Sequence, residues 1–204
     1  KQLEKSIERT KKLMQEAAKK LDFIEAAQYR DEVLKMEELL KDRRGNLTLT
    51  NINGLCRIAL DKLKKTYEQD IQEKNIRIVF DNLTLSLMME VNVEQFSKVL
   101  AGILKNSMYA LLKKSETVTF SPEIFLGLKV NKDMLEITIR DNGSGIDENI
   151  KDKIFAPFFT TKTTGEAAGV GLYLCREIVQ NHRGTIEVES KKGEYTQFLI
   201  TIPV

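Results

Sequence analysis

A chain of 204 residues has room for one ordinary domain and a small appendage. Apolar residues make up 42% and charged residues of both signs 30%, a globular balance, and a net charge of +2 gives no global attraction to nucleic acid or membranes. No apolar run approaches the roughly 20 residues that span a bilayer, no signal peptide is evident, and Cys56 and Cys175 lie far apart without companion metal ligands, so they read as reduced thiols of a cytoplasmic protein.

Residues 1–44 contain no proline and no glycine and read as two helices. Leu3, Ile7, Met14, Ala17 and Leu21 fall near one face of the first. Asp22 is placed to cap a second helix from about Phe23 to Arg43, with Ile24, Ala27, Leu34 and Leu40 expected inward and Gly45-Asn46 ending it. Two short helices bury little surface alone, so the hairpin is expected to dock on a copy of itself or on a partner. Leu47-Thr48-Leu49-Thr50 then alternates as a short strand and leads into a helix through about Lys74. Ile76 to Phe80 and Leu83 to Val91 read as a pair of strands, followed by a helix from about Val93 to Lys114. Ile124 to Val130 and Met134 to Arg140 make a hairpin around Asn131-Lys132-Asp133. A loop-rich stretch covers Asp141 to Ala168, a helix runs from about Val170 to Asn181, and strands at Thr185–Ser190 and Gln197–Ile202 close the chain. The expected class is α+β: a two-layer α/β sandwich, its mixed sheet covered on one side by three helices, with an N-terminal antiparallel helical hairpin.

The run from Met14 to Glu32, with its Asp22-Phe23 corner and Ala26-Ala27-Gln28-Tyr29-Arg30-Asp31, resembles the UVR motif of nucleotide-excision repair proteins. That resemblance implies a hairpin that self-associates or binds a homologous hairpin, and residues 1–44 are taken as such a segment, with a homodimer as the expected assembly. A generic charged hairpin is the plainer alternative.

Three places in the remainder carry chemistry. In Asp141-Asn142-Gly143-Ser144-Gly145-Ile146, strand parity places Asp141 on the side of Leu135, Ile137 and Ile139, so its carboxylate points inward where the strand ends. An inward carboxylate needs donors, which a purine's exocyclic amine supplies, while Gly143 and Gly145 let backbone approach a ligand. The same letters also spell an ordinary turn. In the helix before it, Val93, Phe96, Leu100, Ile103, Ser107 and Leu111 form a core stripe, and Gly102, Asn106 and Ala110 an adjacent one. An asparagine between two small residues has room beside it, and its amide oxygen suits magnesium; bonding to nearby backbone is the alternative. Finally, Thr160-Thr161-Lys162 through Ala168-Gly169-Val170-Gly171-Leu172 feeds a small-residue segment into a helix, where free N–H groups and Lys162 suit phosphates. Alone, that pattern is weak.

Together the three resemble the GHKL superfamily of gyrase, Hsp90, histidine kinase and MutL proteins. Leu104 to Ala110 looks like its N box, Asp141 to Gly145 the G1 box, Ile154 to Lys162 the F box, Gly169 to Leu172 the G2 box, and Gly193 to Phe198 the final Gly-x-x-Thr-x-Phe element, in family order. Pro157 to Lys162 is similar to the sporulation and nitrogen-regulation branches of sensor histidine kinases. The resemblance implies that residues 46–204 are an ATP-binding catalytic domain. Asp141 would bond the adenine amine, and Asn106 would hold Mg2+ on the phosphates. Lys162 with residues 163–168 would form a lid over the phosphates, Gly169 and Gly171 would lend backbone N–H groups, and Val170 and Leu172 belong to the same expected nucleotide-binding set. Thr196, sharing parity with Phe198, Ile200 and Ile202, would reach the adenine through water.

Two departures narrow the activity. Hydrolytic members carry a glutamate base where Gly102 stands, and such a base is worth about 10²–10⁴-fold. The first glycine of the G2 box is replaced by Ala167. The single histidine, His182, lies where the family has a structural one, and no acceptor motif of His-Glu-x-x-x-Pro type is present. The expected function is therefore phosphoryl donation from Mg-ATP to a histidine on a separate phosphoacceptor domain, feeding a response regulator, with no autophosphorylation of this chain. The alternative is an ATP-gated dimerising module without transfer, or an engineered fusion of a repair-protein hairpin to a kinase domain; the start at Lys1 reads as that of a fragment. No concentrated basic patch points to DNA.

Overall fold

The computed structural model describes residues 2–20, 22–41, 47–83, 86–161 and 169–204. It divides into two compact units: residues 1–45 with 153–174, and residues 46–152 with 175–204.

In the first unit, α1 (Gln2–Lys19) and α2 (Phe23–Lys41) pack side by side. The corner forms as its chemistry demands: Asp22 Oδ1 accepts from Glu25 N at 2.9 Å, capping α2, and Asp22 N closes α1 on the Ala17 carbonyl. Leu3, Ile7 and Ala17 of α1 and Val33 and Met36 of α2 are buried in the seam. Thr10, also buried, satisfies its hydroxyl on the Ser6 carbonyl at 2.8 Å. The inward stripe of α2 differs from the expected one. Ile24 is 73% and Leu34 57% exposed, while Ala27 and Leu40 are only half-buried. The α2 sequence carries apolar residues on nearly every side, so periodicity alone does not select a face. Leu21 lies outside the described residues, as do 42–46.

The second unit holds the sheets. A small ribbon pairs β1 (Thr48–Asn51) antiparallel with β3 (Met88–Val91). The main sheet has the order β2-β4-β5-β7-β6, built from β2 (Arg77–Asp81), β4 (Glu123–Asn131), β5 (Met134–Asp141), β6 (Thr185–Lys191) and β7 (Tyr195–Pro203). β2 runs parallel to β4 and every other pair is antiparallel, so the sheet is mixed. The segments expected as a strand pair, β2 and β3, thus belong to different sheets. A parallel β2–β4 pair needs a long crossover, and α5 (Val93–Ser115) supplies it.

The helix expected through Lys74 breaks at Tyr67 into α3 (Ile52–Thr66) and α4 (Glu68–Glu73), at a Thr-Tyr pair of low helix propensity. Helix α5 starts on Asn92, whose side chain accepts from Gln95 N at 3.0 Å. Its stripe of Phe96, Val99, Leu100, Ile103, Leu104, Met108 and Leu111 is fully buried. Leu126, Leu135, Ile137, Ile139, Phe198, Ile200 and Ile202 are buried on the alternating positions of β4, β5 and β7. Each such side chain is worth about 1.5–3 kcal/mol of burial. Among the described residues no helix is long and apolar enough to cross a membrane.

Candidate functional site

The last residue of β5 sits where parity requires. Asp141 follows the buried Leu135, Ile137 and Ile139 on the same face and is 2% exposed. Its Oδ1 accepts from Gly143 N at 3.0 Å. Burial pushes the carboxyl up to about 6, opposed by the Ser107 hydroxyl, the Gly143 N–H and the charge of Lys114. Ser107, 1% exposed on α5, lies near enough to favour the charged carboxylate, yet its Oγ makes no well-formed hydrogen bond to a protein atom. A buried carboxylate with one backbone donor, beside a hydroxyl with unused capacity, is a site short of partners. A ligand with an amino group fits that deficit.

The glycine loop after Asp141 is held on two sides. A Cβ on Gly143 would lie 2.7 Å from the Ala110 backbone and 2.8 Å from Asp141 Oδ1, and Ser144 N donates to the Ala110 carbonyl at 3.2 Å. Gly145 has φ +64°, and a Cβ there would strike the Lys191 carbonyl. Gly193 N donates to Ser144 O at 2.7 Å, and Ile146 N to Ser190 Oγ at 2.8 Å. Asn142 ties the strand end to β4, accepting from Glu123 N and donating to Ser121 O, both at 2.8 Å, while Lys114 Nζ bonds its carbonyl at 2.7 Å. Both glycines are therefore required by the protein's own packing, whatever ligand approaches.

The α5 stripe has a similar explanation. A Cβ on Gly102 would stand 3.1 Å from Cys175 Sγ, and Ala110 abuts Gly143, so the two small residues serve packing rather than leaving open space. Asn106, half-buried, lies between them, one turn before Ala110 and next to Ser107. Thr196 is the cross-strand partner of Asp141 and is 4% exposed. Asn106, Ser107, Asp141, Gly143, Gly145 and Thr196 all belong to this one unit.

His182 has both ring nitrogens engaged. Nε2 accepts from Asn92 N at 3.0 Å, which leaves Nδ1 to donate to Ile178 O at 2.8 Å, and the Phe96 ring meets it edge-on at 5.7 Å. It pins the start of α5. Burial pushes both Cys56 and Cys175 up to about 12, so they are inert thiols. Among the described residues no cluster of three or more His, Cys, Asp or Glu is placed to hold a metal.

The remaining expected residues lie in the other unit. Gly169 has φ +74°, and a Cβ there would be 2.6 Å from the Phe158 backbone. Phe158, itself at φ +68°, carries the Arg9 guanidinium 5.1 Å above its ring. Val170 is buried and its carbonyl accepts from Leu174 N at the start of α6 (Gly171–Asn181). Gly171 is exposed with open space beside its Cα, and Leu172 is half-buried. Lys162 and residues 163–168 lie outside the described residues. The sequence reading missed Ser107, assigned to the core stripe, and Ser190; a hydroxyl on an apolar face was the available signal.

Residues 92–204 match the family described as histidine kinase-, DNA gyrase B- and HSP90-like ATPase, and residues 4–39 match the UvrB/uvrC motif. A cyanobacterial phytochrome A from Nostoc sp. is 35% identical over 149 residues, 72% of this chain and 18% of that protein. UvrABC system protein B of Bacteroides fragilis is 81% identical over 42 residues, 21% of this chain and 6% of that protein. The chain thus spans less than a fifth of either relative. The nucleotide-free catalytic domain of histidine kinase ThkA superposes with a TM-score of 0.63 at 28% identity, covering 77% of this chain and 95% of that one.

Proposed function

The chain belongs to the histidine kinase-, DNA gyrase B- and HSP90-like ATPase family, and on that premise we propose that residues 46–204 bind Mg-ATP and serve as the phosphoryl-donating domain of a sensor histidine kinase. The observation that carries the reading is Asp141: a carboxylate 2% exposed, with one backbone donor and an under-used hydroxyl beside it. Asp141 would take the adenine amine and Thr196 would line the same edge. Asn106 would offer its amide oxygen to Mg2+, and Lys162 with the backbone of Gly169, Val170, Gly171 and Leu172 would hold phosphate. Gly143 and Gly145 would act indirectly, by keeping the Asp141 loop seated. When bound, Mg-ATP supplies an activated phosphoryl group, and transfer rests mainly on positioning and charge neutralisation.

Two features favour an acceptor on another chain or domain over water. Gly102 has no carboxylate to activate water and is closed in by Cys175. His182 has both nitrogens occupied within the fold. The acceptor would be a histidine on a separate helical hairpin, with a response regulator downstream and a cytoplasmic setting. Residues 1–44, which contain the UvrB/uvrC motif, would pair with a second copy or a homologous hairpin through the exposed Phe23, Ile24 and Leu34. The test is incubation of the chain with labelled Mg-ATP and an isolated acceptor hairpin. Label on the hairpin supports a kinase; bound nucleotide without transfer favours an ATP-gated module; no magnesium-dependent binding overturns both.

A further inference from the structure

Three hydrogen bonds converge on one hydroxyl between the glycine loop and the last β-hairpin. Ser190, 7% exposed near the end of β6, has its Oγ 2.8 Å from Ile146 N, 2.6 Å from the Tyr195 carbonyl and 3.1 Å from Thr196 Oγ1. A serine hydroxyl owns one hydrogen and two lone pairs. A carbonyl only accepts, so the hydrogen goes to Tyr195. An amide only donates, so Ile146 takes one lone pair. Thr196 is left with the second lone pair and must donate its own hydrogen to Ser190. The opposite wiring, with Ser190 donating to Thr196, would put two oxygen acceptors 2.6 Å apart with no hydrogen between them.

The direction of that bond decides what Thr196 shows to the site. With its hydrogen committed to Ser190, it has only lone pairs to offer. It is 4% exposed and directly opposite Asp141 across β5 and β7, on the same inner face. The geometry points to Ser190 as a positioning residue for base selection: it locks Thr196 as an acceptor beside the Asp141 carboxylate, so the paired strand ends favour a 6-amino purine and disfavour a 6-oxo purine. Carboxylate and hydroxyl then both ask for N–H donors; an exocyclic amine carries two, whereas a 6-oxo purine offers one, at N1, beside an oxygen that only accepts. The inference rests on the nucleotide reading above and adds the residue that sets the polarity of the base contact.

The experiment measures, by titration calorimetry on the full chain with magnesium, the affinities for ADP and for inosine diphosphate, its 6-oxo counterpart. The proteins are the wild type, Ser190→Ala, Thr196→Val, the double variant and Asp141→Asn. Freed from Ser190, Thr196 can turn its hydrogen toward a carbonyl, so Ser190→Ala narrows the ADP preference by about five- to tenfold, the worth of one hydrogen bond of changed sign. Because Ser190 acts through Thr196, its removal changes nothing further in the Thr196→Val background. A preference unchanged by Ser190→Ala, or a Ser190 effect that persists in that background, overturns the inference. If Ser190→Ala does not fold, Ser190→Cys, a weaker donor and acceptor, is expected to narrow the preference partially, and an unaltered ratio there counts against the inference equally. A wild type that binds neither nucleotide, or no effect of Asp141→Asn, sinks the nucleotide reading itself; a normal wild type and Asp141→Asn with an unmoved Ser190→Ala sinks only this step.

Discussion

Replacing Asp141 by asparagine should separate stability from binding in opposite directions. Burial raises the carboxyl from 3.8 to about 6, so keeping it charged in the fold costs about 3 kcal/mol. The sign follows from linkage. A raised acid holds its proton more tightly when folded, so its favourable contribution is full below the unfolded pKa of 3.8 and is lost as pH rises through about 6. Asparagine has no such loss, and its amide can use the Ser107 hydroxyl as a partner. At pH 8 the variant should therefore unfold at a temperature equal to or above that of the wild type, by up to the equivalent of about 3 kcal/mol, and the gap should shrink to about half of that at pH 5 and close only near the unfolded pKa of 3.8. Its affinity for Mg-ADP should fall by about ten- to a hundredfold, since a charge-assisted hydrogen bond becomes a neutral one. Thermal melts at pH 5 and pH 8, with and without Mg-ADP, read both effects. A variant that melts well below the wild type at pH 8 yet still gains full stabilisation from ADP would show that Asp141 supports the fold and does not contact the nucleotide.

Other perturbations test the frame around that carboxylate. Gly145→Ala, at φ +64° against the Lys191 carbonyl, should cost at least about 2 kcal/mol in a denaturant melt. His182→Ala should cost about 1–3 kcal/mol by stranding the Asn92 N–H, while leaving transfer to a separate acceptor hairpin measurable; loss of transfer at unchanged stability would mark His182 as chemical. Phe23→Ser with Ile24→Ser should reduce the mass seen by light scattering without changing ADP affinity, because both side chains are more than two-thirds exposed.

The parts of this architecture legible in the sequence are those governed by local period. Strand alternation places Asp141 and Thr196 on the inner face, and the Asp22 corner follows from side-chain chemistry one turn away. The α2 face is not legible, since apolar residues surround that helix and only its neighbour decides which go inward. The separation of β2 from β3 depends on partners far along the chain. Gly102 and Ala110 read as room for a ligand, whereas Cys175 and Gly143 take up that room, an outcome no single-helix pattern contains. Ser107 and Ser190 look like ordinary small residues until tertiary contacts show one hydroxyl under-used and the other saturated.

An adenine-nucleotide site at the end of β5 beside α5 can be probed residue by residue, by titrating the isotopically labelled chain with Mg-ADP and following its amides by NMR. The largest shifts are expected at Asn106, Ser107, Gly143 and Thr196. Saturating Mg-ADP that leaves those four amides unmoved, or shifts confined to other segments, would contradict such a site.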